Sequence, residues 1–197
     1  MESKDCRQHL RNNKIIQDSI KKILKEIGED PNREGLERTP YRVAKAYEEW
    51  FGGYGFEPKD VLNRQFAESC GLIVEGPISF HSHCEHHLAS FFGTAFVAYV
   101  PKKYVTGLDK LVKLVEIYAR RLQVQERMTK QIADGLYENL ECLGVMVVID
   151  AKHLCVSSRE TKNASTRTRT SEIRGIFENN ASAKQEVLDL INIREKD

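Results

Sequence analysis

Apolar side chains recur every three to four positions in two segments near the start of the chain, which is the spacing of an amphipathic helix. In the first segment, which precedes Gly28, the apolar positions are Ile16, Ile20, Ile23, Leu24 and Ile27. The second segment, TPYRVAKAYEEWF, has Thr39 in position to cap the helix and Pro40 at its first residue, where the missing N–H of proline costs nothing. The two segments predict a helical N-terminal region.

Runs rich in β-branched and aromatic residues predict strands farther along the chain. They are GLIVEGPISFHS, TAFVAYVP, GVMVVIDAKHLCVSS and TRTRTSEIRGIF. In the last run, alternation places Thr166, Thr168 and Thr170 on one face of the strand. The two intervening arginines, Arg167 and Arg169, then lie on the other face.

A long helical pattern separates the second predicted strand from the third. It runs from Leu108 to about Leu140, and RLQVQER interrupts its register, so we expect two helices with a break near Gln123. The run SAKQEVLDLINI predicts a short closing helix. The order of elements predicts an α+β fold, an antiparallel sheet with paired helices on one face. We assign residues 1–66 to an N-terminal helical region and 67–197 to the domain that holds the sheet.

Composition and charge narrow the range of partners. Of the 197 residues, 41% are hydrophobic and 30% are charged, which is typical of a globular protein. The 30 basic and 29 acidic residues leave a net charge of +1, so nothing favours general binding of nucleic acid or of a membrane surface. No apolar run approaches the roughly 18–20 residues of a membrane span, and the N-terminus lacks the apolar core of a secretory signal. An anionic substrate would need a local group of basic side chains.

The cysteines indicate a cellular compartment. They are Cys6, Cys70, Cys84, Cys142 and Cys155, an odd and scattered set, whereas a disulfide framework is normally denser and even in number. We therefore expect a cytoplasmic protein, in which paired cysteine and histidine more often bind a metal.

Four of the six histidines lie between His81 and His87, in the segment FHSHCEHHLASFFG. Within it, Cys84 and His87 have C-x-x-H spacing, so a single turn could direct both side chains at one zinc ion. Farther on, HLC places His153 and Cys155 two residues apart. If the strand continues through them, both side chains lie on the same face.

Two kinds of zinc site fit these residues. If Cys84, His87 and Cys155 bind zinc, a fourth position stays open for water, as in catalytic sites. His86 and His153 then remain beside the activated water, where they could transfer protons. The alternative is a closed structural site, with His153 or His86 as its fourth ligand. We favour the open site.

Other polar residues have ordinary interpretations when taken alone. His81 and His83 lie at a strand end and are interpreted as surface groups or as groups that support the ligands. Arg42 and Lys45 share one helix face, which is typical of a solvated surface. Glu126 would by default be a helix-capping or surface acid.

The motifs CEHHL, VAYVP, GLDKLVKLVEIYARRLQVQERMTKQIA and HLC strongly resemble the GTP cyclohydrolase I family. The resemblance runs from DPNREGLERTPYRVAKAYEEW to RGIF, most of the chain. It implies a tunnelling fold that assembles through pentameric rings into a homodecamer, with sites between subunits. It also implies an enzyme that adds water to C8 of GTP and opens the imidazole ring of guanine. Formate then leaves, and rearrangement of the ribose gives 7,8-dihydroneopterin triphosphate.

The resemblance implies a role for each matching residue at the reacting centre. Cys84, His87 and Cys155 match the ligands of Zn²⁺. His86 matches the residue that protonates a purine ring nitrogen. His153 matches a residue that assists hydrolysis.

The same resemblance implies the contacts with GTP. Glu126 matches the acid that accepts hydrogen bonds from guanine N1–H and the exocyclic amine, with Gln125 beside it. A buried carboxylate would recognise these two donors. The residues that match the triphosphate-binding set are Arg42, Lys45, Lys110, Lys113 and Arg159.

Several positions depart from the family pattern. Asp109 stands where serine is usual, Lys113 replaces a common arginine, Glu160 follows Arg159, and Phe96 stands where histidine is frequent. We expect these departures on one side of the pocket, where the added carboxylates would weaken triphosphate binding. They leave open a paralogue with another nucleotide tail, one that stops at the ring-opened formamide, or a catalytically silent zinc-binding scaffold. The step that the resemblance implies is the first one of the folate, biopterin and deazaguanine routes alike.

Overall fold

The structure, a computed structural model, describes residues 14–68, 71–158 and 165–194. The chain divides into two compact units at residues 55 and 56. The first unit contains helix α1 (Lys14–Glu26) and helix α2 (Thr39–Trp50), which confirms the two predicted helices. The predicted domain boundary after residue 66 stays a prediction.

Helix α2 begins one residue earlier than predicted. Thr39 is itself helical, so the N-cap is Arg38, whose side chain makes no capping hydrogen bond. Pro40 therefore lies one residue inside the helix. Its missing N–H still costs nothing, because the first four N–H groups of a helix have no partner within the helix.

The second unit holds the sheet and the helices that cover it. In chain order its elements are α3 (Pro58–Val61), β1 (Gln65–Ala67), β2 (Ile73–Cys84), β3 (Ser90–Pro101), β4 (Tyr104–Thr106), α4 (Leu108–Ala119), β5 (Leu122–Gln123), α5 (Gln125–Leu140), β6 (Cys142–His153), α6 (Leu154–Ser157), β7 (Thr168–Gly175) and α7 (Ala181–Arg194). The predicted strands and helices all occur, and the chain is α+β.

The sheet has the strand order β5-β2-β3-β6-β7. Strands β2, β3, β6 and β7 pair antiparallel with their neighbours, but the two-residue β5 pairs parallel with β2, through His83–Leu122 and Cys84–Gln123. The prediction of a purely antiparallel sheet was therefore wrong at this edge. Strands β1 and β4 form a separate antiparallel pair, which the pattern did not predict because each strand has only three residues.

The break between the two long helices falls at Leu122–Gln123, as predicted. The Gln123 side chain is buried, and its Nε2 donates to the carbonyl oxygen of Tyr118 at 3.0 Å and to Oε1 of Gln131 at 2.8 Å. The first bond satisfies one of the carbonyl groups that the end of α4 leaves without a helical partner. The second bond ties the break to α5.

Helices α4 and α5 pack on one face of the sheet, as predicted. Their buried apolar residues contact a strand face that contains Phe91, Ala95, Val97 and Tyr99 of β3. The helical members of this cluster include Leu111, Leu114, Met128, Ile132 and Leu136. Cys84 belongs to the same cluster, so the predicted metal ligand at the end of β2 is anchored in the main core.

Helix α7 covers the opposite face of the sheet. Val187 and Ile191 pack there against Phe96, Met146 and Phe177. Phe96 thus lies across the sheet from the cluster that holds Cys84. Strand alternation directs Phe96 away from its neighbours Ala95 and Val97. The expectation that the departures lie on one side of the pocket stays a prediction.

Candidate metal centre and active site

The turn between β2 and β3 curls the segment that holds Cys84 and His87. The N–H of Cys84 donates to the carbonyl oxygen of Ala89 at 2.8 Å, and the N–H of Leu88 donates back to the carbonyl oxygen of Cys84 at 2.9 Å. Leu88 closes the turn in the left-handed region, with φ of 53°. This tight turn brings side chains three residues apart to the same side, as C-x-x-H spacing predicted.

Three sulfur and nitrogen atoms converge at the turn. The donor atoms of Cys84, His87 and Cys155 all lie within 4.8 Å of one another, and Cys84 Sγ lies 3.8 Å from His87 Nδ1. A cysteine pair with one imidazole is a donor set that suits zinc and other ions that prefer sulfur. These three side chains could therefore hold a metal ion.

Cys155 reaches this group by a different route from the one predicted. Strand β6 ends at His153, and Cys155 lies in the one-turn helix α6. The prediction that His153 and Cys155 share one face of a strand was wrong. The chain turns into helix α6 after His153. The side chains of His153 and Cys155 therefore do not follow the alternation of a continuous strand.

His86 lies beside the donor group with its ring exposed. Its Nδ1 is 3.9 Å from Cys84 Sγ, and its Nε2 is 3.8 Å from Oε1 of Glu85. Arg127 holds Glu85 with a two-pronged contact in which Nη2 donates to Oε1 at 2.9 Å and Nη1 donates to Oε2. The hydrogen bond from Arg127 lowers the pKa of Glu85, so a carboxylate faces His86. Sequence reasoning missed Arg127, whose partner is 42 positions away.

His153 is half-buried at the end of β6. Its ring stacks on Phe91 of β3, with centroids 4.6 Å apart, and its Nε2 lies 2.8 Å from Oε1 of Gln125. Burial lowers the pKa of His153, and the charge of Glu126 partly opposes that shift. His153 is therefore mainly neutral near neutral pH and able to accept a proton. Sequence reasoning missed Phe91, because only the register of β3 against β6 brings it opposite His153.

The two predicted base-binding residues differ sharply in exposure. Gln125 is 1% exposed, whereas Glu126 is exposed in the single chain. The expectation of a buried carboxylate in the substrate site stays a prediction. Both belong to the first turn of α5. These two consecutive residues thus have different surroundings. Gln125 points into the protein, and Glu126 is accessible to a ligand or another subunit.

The remaining histidines of the cluster do not join the metal donors. His81 is exposed and stacks on Phe92 with ring centroids 5.5 Å apart. His83 is buried, its Nε2 lies 3.2 Å from the hydroxyl of Ser90, and burial lowers its pKa. His83 is thus a core residue that supports the hairpin next to the turn.

The predicted triphosphate-binding residues are spread over both units. Arg42 and Lys45 are exposed on α2 of the first unit. Lys110 and Lys113 lie on α4 of the second unit. Arg159 lies outside the described residues, as does Glu160.

Asp109 contacts both lysines of α4. Its Oδ2 lies 3.2 Å from Nζ of Lys113 and 3.4 Å from Nζ of Lys110. The hydrogen bond from Lys113 and the charge of Lys110 lower the pKa of Asp109, which is therefore ionised at neutral pH. The departure at Asp109 thus places an anion on the two cations that the resemblance assigns to the triphosphate.

Residues 16–192 match the family model described as GTP cyclohydrolase I. Proteins named GTP cyclohydrolase 1 from Campylobacter jejuni (strain RM1221) and Bacillus pumilus (strain SAFR-032) are 50% and 48% identical to this chain over 181 and 182 residues. Each alignment covers 91% of this chain, together with 95% of the first relative and 96% of the second. The chain belongs to the GTP cyclohydrolase I family.

Membership of the GTP cyclohydrolase I family confirms the resemblance predicted from the motifs CEHHL and HLC, and it identifies the chain as a member of an enzyme family. Among solved structures, an archaeosine synthase QueF-Like in the apo form covers 55% of this chain at 16% identity with a TM-score of 0.45, a likeness too distant to bear on this chain. Along the described part of the chain, no helix combines the length and apolar character needed to cross a membrane.

Proposed function

We propose that this chain is a zinc-dependent GTP cyclohydrolase I. It opens the imidazole ring of guanine in GTP by hydrolysis, releases formate and forms 7,8-dihydroneopterin triphosphate. The observation that carries the proposal is the convergence of Cys84, His87 and Cys155 in a chain of the GTP cyclohydrolase I family. In sequence, His86 directly precedes His87, and His153 lies two residues before Cys155.

We assign Zn²⁺ to Cys84, His87 and Cys155. The assignment is supported by their mutual distances and by the preference of zinc for sulfur and nitrogen ligands. Three protein ligands are the number typical of catalytic zinc. A zinc ion bound there would activate a water molecule for attack on C8 of the base.

The two remaining site histidines are assigned to proton transfer. His86 has an exposed ring beside the donor group, where it can protonate a purine ring nitrogen. His153 has a lowered pKa, so its neutral ring can accept a proton during hydrolysis. Glu85, which Arg127 holds in place, lies 3.8 Å from Nε2 of His86 and can orient its ring.

Recognition of guanine is assigned to Glu126. Its carboxylate can accept hydrogen bonds from N1–H and from the exocyclic amine, two donors that adenine does not present together. The exposure of Glu126 in the single chain is compatible with a site that a second subunit completes. Arg42, Lys45, Lys110, Lys113 and Arg159 are assigned to the triphosphate.

The fold and assembly belong to the same proposal. We infer a tunnelling fold, with residues 67–197 as the catalytic domain after an N-terminal helical region, and a homodecamer of two pentameric rings. Strand β7 at the edge of the sheet supports this, since an edge strand offers backbone groups to a neighbouring chain. A cytoplasmic location is part of the proposal.

A paralogue with an altered nucleotide tail is the second candidate. The observation that favours it is Asp109, whose carboxylate already forms ion pairs with the ammonium groups of Lys110 and Lys113. A substrate with a shorter or less negative tail would need fewer contacts with Lys110 and Lys113, and so would compete less with Asp109 for them.

Incubation of the purified, zinc-loaded protein with GTP tests these candidates. We expect equal amounts of formate and of a pterin that becomes fluorescent after oxidation. A ring-opened formamide without formate would indicate an enzyme that stops early, and turnover of guanosine or GMP in preference to GTP would indicate the altered tail. Bound zinc with no product from any guanine nucleotide would contradict an enzymatic function and favour the scaffold.

A further inference from the structure

Gln125 has a carboxamide whose orientation the surrounding backbone determines. Its Nε2 lies 3.2 Å from the carbonyl oxygen of Ile149 and 2.9 Å from that of Thr168. Carbonyl oxygens only accept hydrogen bonds, so the nitrogen of the carboxamide must face them. A flipped carboxamide would place its oxygen against two acceptors in a site that is 1% exposed. The oxygen Oε1 therefore faces His153.

Two threonine hydroxyls impose the same orientation independently. Thr129 Oγ1 lies 2.7 Å from the backbone oxygen of Gln125 and must donate its single proton there. Thr170 Oγ1, at 2.7 Å from Thr129 Oγ1, must then donate to Thr129. Thr170 can therefore only accept from Gln125, whose Nε2 lies 3.1 Å away. The hydrogen bonds all run in one direction along this chain.

The direction of these bonds determines where His153 carries its proton. Because Oε1 of Gln125 is an acceptor, the hydrogen bond of 2.8 Å to it must come from Nε2–H of His153. We propose that Gln125 is a positioning residue that holds His153 as its Nε2–H tautomer, while Phe91 holds the plane of the ring. Nδ1 is then the nitrogen left to exchange a proton with the substrate.

This role differs from the base contact that the resemblance implies for Gln125. The carboxamide is enclosed and its polar atoms are engaged by the protein, so it acts on the substrate through His153. The tautomer follows from the structure alone. Its effect on turnover rests on the proposed function, so the two are tested by separate measurements.

Solid-state NMR of the zinc-loaded protein with isotope-labelled histidine rings, at mildly alkaline pH and without nucleotide, tests the tautomer. The signals of His153 are assigned by their loss in His153→Gln. We expect a protonated Nε2 and an unprotonated Nδ1 in the unmodified protein. Gln125→Leu should lose this pattern, because leucine offers no acceptor to Nε2–H. Protonated Nδ1 in the unmodified protein, or an unchanged pattern in Gln125→Leu, would overturn the proposal.

Steady-state kinetics with GTP test the consequence. Gln125→Leu should lower kcat about 10- to 100-fold, the range typical of residues that orient a reacting group, with KM nearly unchanged and zinc retained. If Gln125→Leu does not fold, a pair of variants at Thr170 replaces it. Thr170→Val should show a smaller fall in kcat, which Thr170→Ser should not show. A raised KM with weaker discrimination against inosine triphosphate would make Gln125 a base contact and overturn the positioning role. No turnover by the unmodified chain would defeat the proposed function and leave the NMR result standing.

Discussion

His153 stacks on Phe91 with ring centroids 4.6 Å apart and ring planes 2° from parallel. The two residues are directly paired across β3 and β6, and Phe91 is fully buried in the main core. The plane of a proposed proton carrier is therefore set by the central strand of the sheet. The orientation of the His153 ring therefore depends on the packing of the core beneath it.

Phe91→Ala should affect stability and turnover together. Removal of a fully buried phenylalanine leaves a cavity and typically lowers the free energy of unfolding by about 3–5 kcal/mol. The loss of the stack should also lower kcat. Urea unfolding at a fixed protein concentration and steady-state kinetics check both effects. Phe92→Ala is the matched control, since Phe92 stacks on the exposed His81 instead. Equal losses in the two variants would contradict a special role for Phe91.

Cys155→Ser should remove zinc and activity while much of the fold remains, because the sheet is held by its own core rather than by the ion. Metal analysis after gel filtration and circular dichroism check the two parts. Cys142→Ser is the control, since Cys142 is buried but does not belong to the donor group, and this variant should keep its zinc. Full zinc retention in Cys155→Ser would remove Cys155 from the ligand set.

His86→Ala and His153→Ala should keep zinc and lose turnover. The loss of a general acid or base typically lowers the rate by about 10²–10⁴-fold. Metal content and kcat should be measured on the same preparations, with His81→Ala as the exposed histidine control. A zinc-free variant at either position would make that histidine a ligand and would favour the closed site.

Asp109→Ser should improve binding of GTP. The substitution releases Lys110 and Lys113 from an internal anion, so KM should fall roughly two- to fivefold, the modest effect expected of an exposed charge pair. The value of kcat should stay nearly unchanged, because the tail is bound equally in the ground and transition states. Glu160→Gly, at a position outside the described residues, should add to the effect.

Glu116→Ser is the matched control for Asp109, since Glu116 is on the same helix and pairs with Arg120 at 3.7 Å. Added Mg²⁺ should help the unmodified protein more than Asp109→Ser, because the ion can neutralise the opposing carboxylate. A KM that is unchanged or higher in Asp109→Ser would show that Asp109 does not oppose the triphosphate.

Cys142 should resist alkylation in the folded protein. Burial raises the pKa of Cys142 to about 12, so almost none of it is thiolate at mildly alkaline pH. Treatment with iodoacetamide and peptide mass spectrometry should find Cys142 unmodified, and chelation of the metal should expose Cys155 to modification first. Rapid labelling of Cys142 before Cys155 would contradict this order.

The helices and most of the sheet could be predicted because they depend on local periodicity. The apolar stripe on either side of Gln123 predicted both long helices and their break. The C-x-x-H spacing predicted that Cys84 and His87 would share one turn. Each of these inferences needs only the residues of a single segment.

The errors concern contacts between distant segments or a local change of direction. The one-turn helix that contains Cys155 follows a strand of strong β propensity, and nothing in HLC indicates where that strand ends. The hydrogen bonds from Gln125 to Thr168 and Thr170 depend on how β7 lies beside α5. Strand β5 is too short for a pattern, and its parallel pairing follows from the position of β2.

The most direct test of the central claim is the fate of C8 of the purine. GTP that is isotope-labelled at C8 should be incubated with the zinc-loaded protein and, in parallel, with Cys155→Ser. We predict labelled formate in a one-to-one ratio with the pterin product for the unmodified protein, and neither product for the variant. Labelled formate from zinc-free Cys155→Ser at the unmodified rate would contradict the account. So would unchanged labelled GTP, or a ring-opened formamide that keeps the label without pterin, from the zinc-loaded unmodified protein.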